Sequence, residues 1–97
     1  MIIVHDIFVC KPGNASKLAK MFKEAMGSNQ ETVNILTDMS GQFNKVVMVS
    51  KYENLAAYEQ SWQKYMENSE EMKRMQEIMK GYTDMYLTGC REIYKVW

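Results

Sequence analysis

Hydrophobic and polar positions in this chain repeat with two different periods, and each change of period marks a new element. Residues 2–10, IIVHDIFVC, alternate with period two. Ile3, His5, Ile7 and Val9 fall on one face, and Val4, Asp6, Phe8 and Cys10 on the other. Both faces are largely apolar, which predicts a central strand covered on both sides. Lys11-Pro12-Gly13 ends it, because Pro has no N–H for a ladder and Gly permits a tight bend. The period then lengthens. Ala15, Leu18, Met21, Phe22, Ala25 and Met26 recur at three- and four-residue spacing, with Ser16, Lys17, Lys20, Lys23 and Glu24 opposite. That spacing predicts an amphipathic helix, with Asn14 as its N-cap and Gly27 as a left-handed stop.

Period two returns over Thr32–Met39, and again from Val46 to Tyr52 after the turn Ser40–Asn44. The turn reverses the chain, so these two strands should form an antiparallel hairpin. Val46-Val47-Met48-Val49 is the strongest strand signal in the sequence. Asn54 then offers a cap to a helix carrying Leu55, Tyr58, Trp62 and Tyr65/Met66 on one stripe, with Trp62 read as core. Asn68-Ser69 interrupts it, Ser69 caps a further segment with Met72, Met75, Ile78 and Met79, and Gly81 closes that segment. The tail, YTDMYLTGCREIYKVW, reads as a fourth strand with Gly89 as a bulge.

The order β-α-β-β-α-β predicts an α+β, ferredoxin-like domain over residues 1–97: a four-stranded antiparallel sheet with both helices on one face. Two crossovers are expected to put strand one beside strand three in parallel. The helices can cover only one sheet face, yet apolar residues point to both. Tyr86, Tyr94 and Trp97 have nothing left in the chain to cover them. A homodimer with two sheets packed face to face, a dimeric α/β barrel, resolves this. The His5 face is assigned to the helices and the Asp6 face to the barrel interior.

Composition narrows the function classes. Twelve basic and twelve acidic residues cancel, so no field draws the chain to nucleic acid or an anionic membrane. The longest apolar run is too short to span a bilayer. MIIVHDIF lacks the features of a signal peptide, so the expected location is the cytoplasm. Cys10 and Cys90 stand far apart with no Cys/His cluster, and are read as reduced thiols in strands rather than metal ligands. Ten methionines suit either an adaptable binding surface or loose core packing, the latter preferred. GxSxG, HExxH, P-loop and dinucleotide-binding glycine patterns are all missing.

Three segments carry a family resemblance: Phe8-Val9-Cys10-Lys11-Pro12-Gly13, Gly41-Gln42-Phe43-Asn44-Lys45-Val46-Val47, and Tyr52-Glu53-Asn54-Leu55. Together they resemble the NIPSNAP-like group of the dimeric α/β-barrel superfamily, which also holds the antibiotic-biosynthesis-type monooxygenases. The resemblance implies the barrel fold and, as one reading, a cofactor-independent monooxygenase or related oxidoreductase acting on an apolar or aromatic substrate inside each barrel. The chain departs from the family where chemistry is concerned. Val4 and Asp6 replace a Glu and an Arg often found on the first strand, and Met48 and Ser50 replace a His and a Trp on the third. Haem-degrading relatives use an Asn, a Trp and a His. Here Asp6 and Trp62 fall near the first two, while Met72 and Arg74 occupy the region of the His. Without that imidazole haem binding is disfavoured, and no cofactor is expected.

The candidate residues are Asp6, Tyr52 and His5. A carboxylate in an apolar cavity can accept a proton, which nominates Asp6; an ion pair with Arg91 or Lys95 on the fourth strand is the structural alternative. Tyr52, on the face of Met48 and Ser50, could position a ligand or cap the barrel rim. His5 is the one side chain that ordinarily titrates near neutrality, but it reads as a hydrogen-bonded core residue before a base. The competing reading of the whole chain is a non-catalytic binding or assembly protein with its barrel filled by side chains. An empty interior of roughly several hundred Å³ separates the two.

Overall fold

A computed structural model describes all residues, Met1–Trp97. The chain runs β1 (Ile2–Cys10), α1 (Ala15–Met26), β2 (Thr32–Thr37), β3 (Lys45–Tyr52), α2 (Leu55–Met66), α3 (Glu70–Ile78), a 3-10 turn (Tyr82–Asp84) and β4 (Tyr86–Lys95). One four-stranded sheet holds them in the order β2-β3-β1-β4, and every neighbouring pair is antiparallel. The fold is the expected ferredoxin-like α+β arrangement.

Strands one and three are neighbours, but not parallel ones. Ile3 pairs with Lys51 and Ile7 with Val47 in an antiparallel ladder. Each crossover skips a strand: α1 links β1 to β2 with β3 between them, and α2 and α3 link β3 to β4 with β1 between. The parallel relation expected of a crossover therefore holds for strands that never touch.

Local signals explain most of the boundaries. Asn54 Oδ1 accepts the Ala57 N–H at 2.8 Å and Ser69 Oγ accepts the Met72 N–H at 3.2 Å, so α2 and α3 start where the caps predict. Asn14 precedes α1 but makes no side-chain cap; its amide donates instead to the Met85 carbonyl at 3.5 Å, tying the helix to the approach to β4. Gly27 is right-handed (φ −61°) and supplies no left-handed stop. Gly81, at φ 83°, does. β2 ends at Thr37, short of Met39, and Asp38 Oδ1 closes the hairpin by accepting the Lys45 N–H at 2.8 Å.

Gly89 is not the bulge. The register of β1 against β4 shifts between Val9 and Cys10, whereas Gly89 pairs with Phe8 in regular ladder. A Cβ at Gly89 would sit 2.7 Å from the Ile7 carbonyl oxygen, so close backbone approach requires the glycine.

The core lies between α1 and the sheet, where Leu18 and Phe22 meet Cys10 and Val46. Phe8 and Met48 pack against that cluster. The face of β1 bearing Val4, Asp6, Phe8 and Cys10 is therefore the helix-covered one, the reverse of the expected assignment. His5 is on the bare face, its ring 5.1 Å from that of Tyr94. Alternation could not choose between the faces, because both sets are equally apolar and only helix placement distinguishes them. Cys10 and Cys90 are both free; Cys10 is buried on β1, where desolvation pushes its thiol up from the ordinary value, and Cys90 is exposed on β4.

Candidate functional site

Between the helix layer and the sheet lies a cavity of about 400 Å³. It is contained within one chain, not enclosed between two sheets as the barrel reading expected. The even-numbered alternation of the strands builds its floor: Asp6 and Phe8 from β1, and Met48, Ser50 and Tyr52 from β3. Helix α1 adds Phe22 and Met26 at four-residue spacing, and α3 adds Met72 and Met75 at three. One wall belongs to α2, whose Tyr58, Trp62 and Tyr65 recur at helical spacing.

Those aromatic rings form a connected row. Tyr52 meets Tyr58 edge-on at 5.1 Å, Tyr58 meets Trp62 at 6.1 Å, and Trp62 meets Tyr65 at 5.9 Å between centroids. Trp62 is not core, as its helical spacing suggested: α2 buries no residue, and Trp62 is 43% exposed. Five of the ten methionines, Met26, Met48, Met72, Met75 and Met79, line the same space. Thioether side chains suit a wall that must adapt to an irregular occupant.

Asp6 and Arg91 are the two charged residues of the lining. The β1–β4 register sets them directly opposite, and Arg91 Nε donates to Asp6 Oδ1 at 2.5 Å. The Asp6 side chain is 14% exposed and that of Arg91 45%, so the carboxylate lies inward and the guanidinium at the solvent mouth. Arg91 also stacks over Trp62, 4.8 Å from the ring centroid, and reaches Tyr58 at 6.0 Å. Burial works against the Arg91 charge, but the hydrogen bond and charge of Asp6 outweigh it, and the guanidinium is held above its ordinary value.

Two tyrosines on α2 are kept in the neutral form. Burial pushes both the Tyr58 and the Tyr65 phenols up from their ordinary value. Tyr65 accepts from Asn29 Nδ2 at 3.5 Å and donates to Met26 Sδ at 3.9 Å. The Tyr58 hydroxyl is buried with no hydrogen-bond partner. Ser50, also on the floor, is the one polar residue among the buried set.

Of the residues nominated from sequence, Asp6 and Tyr52 both line the cavity and His5 does not. His5 projects from the opposite sheet face, on the side away from both. Of the two partners proposed for Asp6, Arg91 is the one that meets it and Lys95 pairs with Ile2 instead. Sequence reasoning missed the part played by Tyr58, and ranked an adaptable methionine surface behind loose core packing. The available signal was the run Tyr58, Trp62, Tyr65: three half-polar rings on one stripe suit a wetted wall better than a sealed core.

Comparisons with known proteins agree on the fold. A NIPSNAP family protein from Agrobacterium tumefaciens strain C58 superposes with a TM-score of 0.78 at 14% identity, covering 97% of this chain and 90% of that one. An uncharacterized NIPSNAP domain protein from Burkholderia xenovorans gives 0.78 at 10% identity, covering 100% and 95%. A putative antibiotic biosynthesis monooxygenase from Nitrosomonas europaea is more distant, at 0.64 and 9% identity over 99% and 98%. No curated protein sequence matches the chain. The sequence pattern of the NIPSNAP family matches residues 6–85, a span that takes in the second half of β1, all of β2 and β3, the helices and the floor of the cavity but not β4, and the chain belongs to that family.

Proposed function

We propose that this chain binds a small aromatic or otherwise apolar molecule in the cavity between its helices and its sheet, and acts as a homodimer joined through the bare sheet face. The observation that carries the binding reading is the cavity itself: about 400 Å³ of open space, walled by aromatic rings and thioethers, with a single ion pair among its lining. Ligand pockets have this size and this balance of apolar wall to sparse polar groups. That open space supports this reading over the competing one, a barrel filled by side chains.

The reaction class that suits the site is cofactor-independent oxygenation of an activated C–H substrate by dioxygen. An activated CH₂ group becomes a carbonyl: two hydrogens leave the carbon, one oxygen atom is gained, and the second oxygen departs as water. Asp6 would accept the proton lost from carbon, and the Arg91 guanidinium beside it would hold the negative charge left behind. Tyr52, packed against Tyr58, would position the substrate ring. His5, on the opposite face, is given no part. Likeness to the monooxygenase fold supports this class by analogy alone.

The methionines offer the test. Methyl NMR during titration with 2-naphthalenemethanol, a neutral aromatic probe, should shift the resonances of Met26, Met48, Met72, Met75 and Met79, which line the cavity. Those of the exposed Met1, Met39 and Met66 should stay in place. A titration that moves none of the five cavity methyls overturns the proposal.

A further inference from the structure

Resting on that reading of the cavity, we infer that its ligand is an aromatic acid, with the ring between the sheet and α2 and its carboxylate at the mouth, on Arg91 and Tyr58. Three independent features of the site point there.

The first is the unused capacity of Arg91. A guanidinium presents five N–H donors in a rigid fork. Only Nε is engaged, by Asp6 Oδ1, and neither terminal amino group has a protein acceptor. Stacking on Trp62 at 4.8 Å restrains the plane of the fork. Two restrained donors on one side of a guanidinium match the two oxygens of a carboxylate.

The second is Tyr58, whose ring centroid lies 6.0 Å from the same guanidinium and whose hydroxyl is buried without a partner. A buried phenol with no acceptor is costly, and an anionic ligand oxygen that displaces the side chains covering it would satisfy it. Burial raises the phenol above its ordinary value, so it stays protonated and can donate.

The third is position. Arg91 is half-exposed at the mouth, while the deeper lining is aromatic rings and methionines. An acid entering ring-first buries its apolar part and leaves the charge partly hydrated, which avoids most of the cost of desolvating an anion. Asp6 opposes this by competing for the guanidinium. A cationic aromatic would reverse the logic, using Asp6 and the ring faces. It is disfavoured because Arg91 already occupies the face of Trp62 and one oxygen of Asp6.

Three naphthalene probes of nearly one shape decide the matter by calorimetry at neutral pH and moderate salt: 2-naphthoate, 2-naphthalenemethanol and 2-naphthylmethylammonium. The expected order places the naphthoate about tenfold or more tighter than the alcohol, the scale of charge-assisted hydrogen bonds. Arg91→Gln should abolish that preference while the alcohol still binds. The Asp6→Asn/Arg91→Gln pair removes both charges and should do the same, without leaving a carboxylate unpaired. Asp6→Asn alone should tighten the naphthoate. Tyr58→Phe should weaken the naphthoate about five- to tenfold without lowering thermal stability, because a packing residue would show the opposite pattern. Equal binding of acid and alcohol, or tightest binding of the ammonium probe, overturns the inference and leaves the cavity reading standing. Failure of all three probes to bind overturns both.

Discussion

Asp6 and Arg91 meet because the β1–β4 register places them opposite one another. Arg91 and Lys95 have the same parity in β4, so alternation put both on the face of Asp6 and could not choose between them. Four residues of register made the choice. The same pairing explains Gly89, two residues before Arg91, where an added Cβ would meet the Ile7 carbonyl oxygen at 2.7 Å. The obstacle is backbone in a central ladder and has little freedom to yield. Gly89→Ala is therefore expected to destabilise the protein by roughly 2 kcal/mol or more, measured as a lowered denaturant midpoint with unchanged slope. A midpoint within error of the parent would show that β4 can move away without cost. The residue-level chemistry was only half legible: Asp6 and Tyr52 could be nominated from type and parity, but Tyr58 gained its meaning from a buried hydroxyl left without a hydrogen-bond partner.

At the scale of elements, α2 stands apart. α1 buries Leu18 and Phe22, and α3 buries Met72, but α2 buries nothing and exposes Leu55, Trp62 and Met66. Its apolar side faces a cavity, so it lacks the packing that usually holds a short helix. The cap at Asn54 then carries more than its ordinary share of keeping the helix wound. Asn54→Ala is expected to cost about 1 kcal/mol, and the loss should show first as faster amide hydrogen exchange in Ala57–Met66 rather than in α1. Uniform acceleration across both helices would mean that α2 unfolds only with the whole protein. The two working caps, Asn54 and Ser69, were readable because capping is local chemistry within three residues. Asn14 misled because its amide found a carbonyl 71 positions away, a competitor that no local pattern reveals.

The whole molecule has one sheet face under helices and one bare. Ile3, His5, Ile7 and Val9 of β1 stand on the bare face with Val47 and Val49 of β3 and Tyr94 of β4, and Leu36 and Tyr94 are among its exposed large side chains. A face of this character supports the proposal that a second copy covers it. Val47, between Ile7 and Leu36, is the place to test it. Sedimentation should find the parent chain as a dimer and Val47→Glu as a monomer with the same far-UV spectrum. A parent that sediments as a monomer at micromolar concentration removes the dimer from the proposal. His5 is part of this face, its ring 5.1 Å from that of Tyr94.

What the sequence by itself determined is everything carried by short-range rules. Periods of two and 3.6, caps within three residues, and turns marked by Gly and Pro led to β-α-β-β-α-β and to the ferredoxin-like sheet. The three short motifs pointed to NIPSNAP relatives for the same reason, since each is a turn or a cap. Tertiary structure alone decided which face of β1 lay beneath the helices, which of two cations met Asp6, and that the aromatic stripe of α2 walled a space instead of filling one. An apolar side chain reads the same in sequence whether it packs against a neighbour or lines a void. Only the positions of the other elements set the difference.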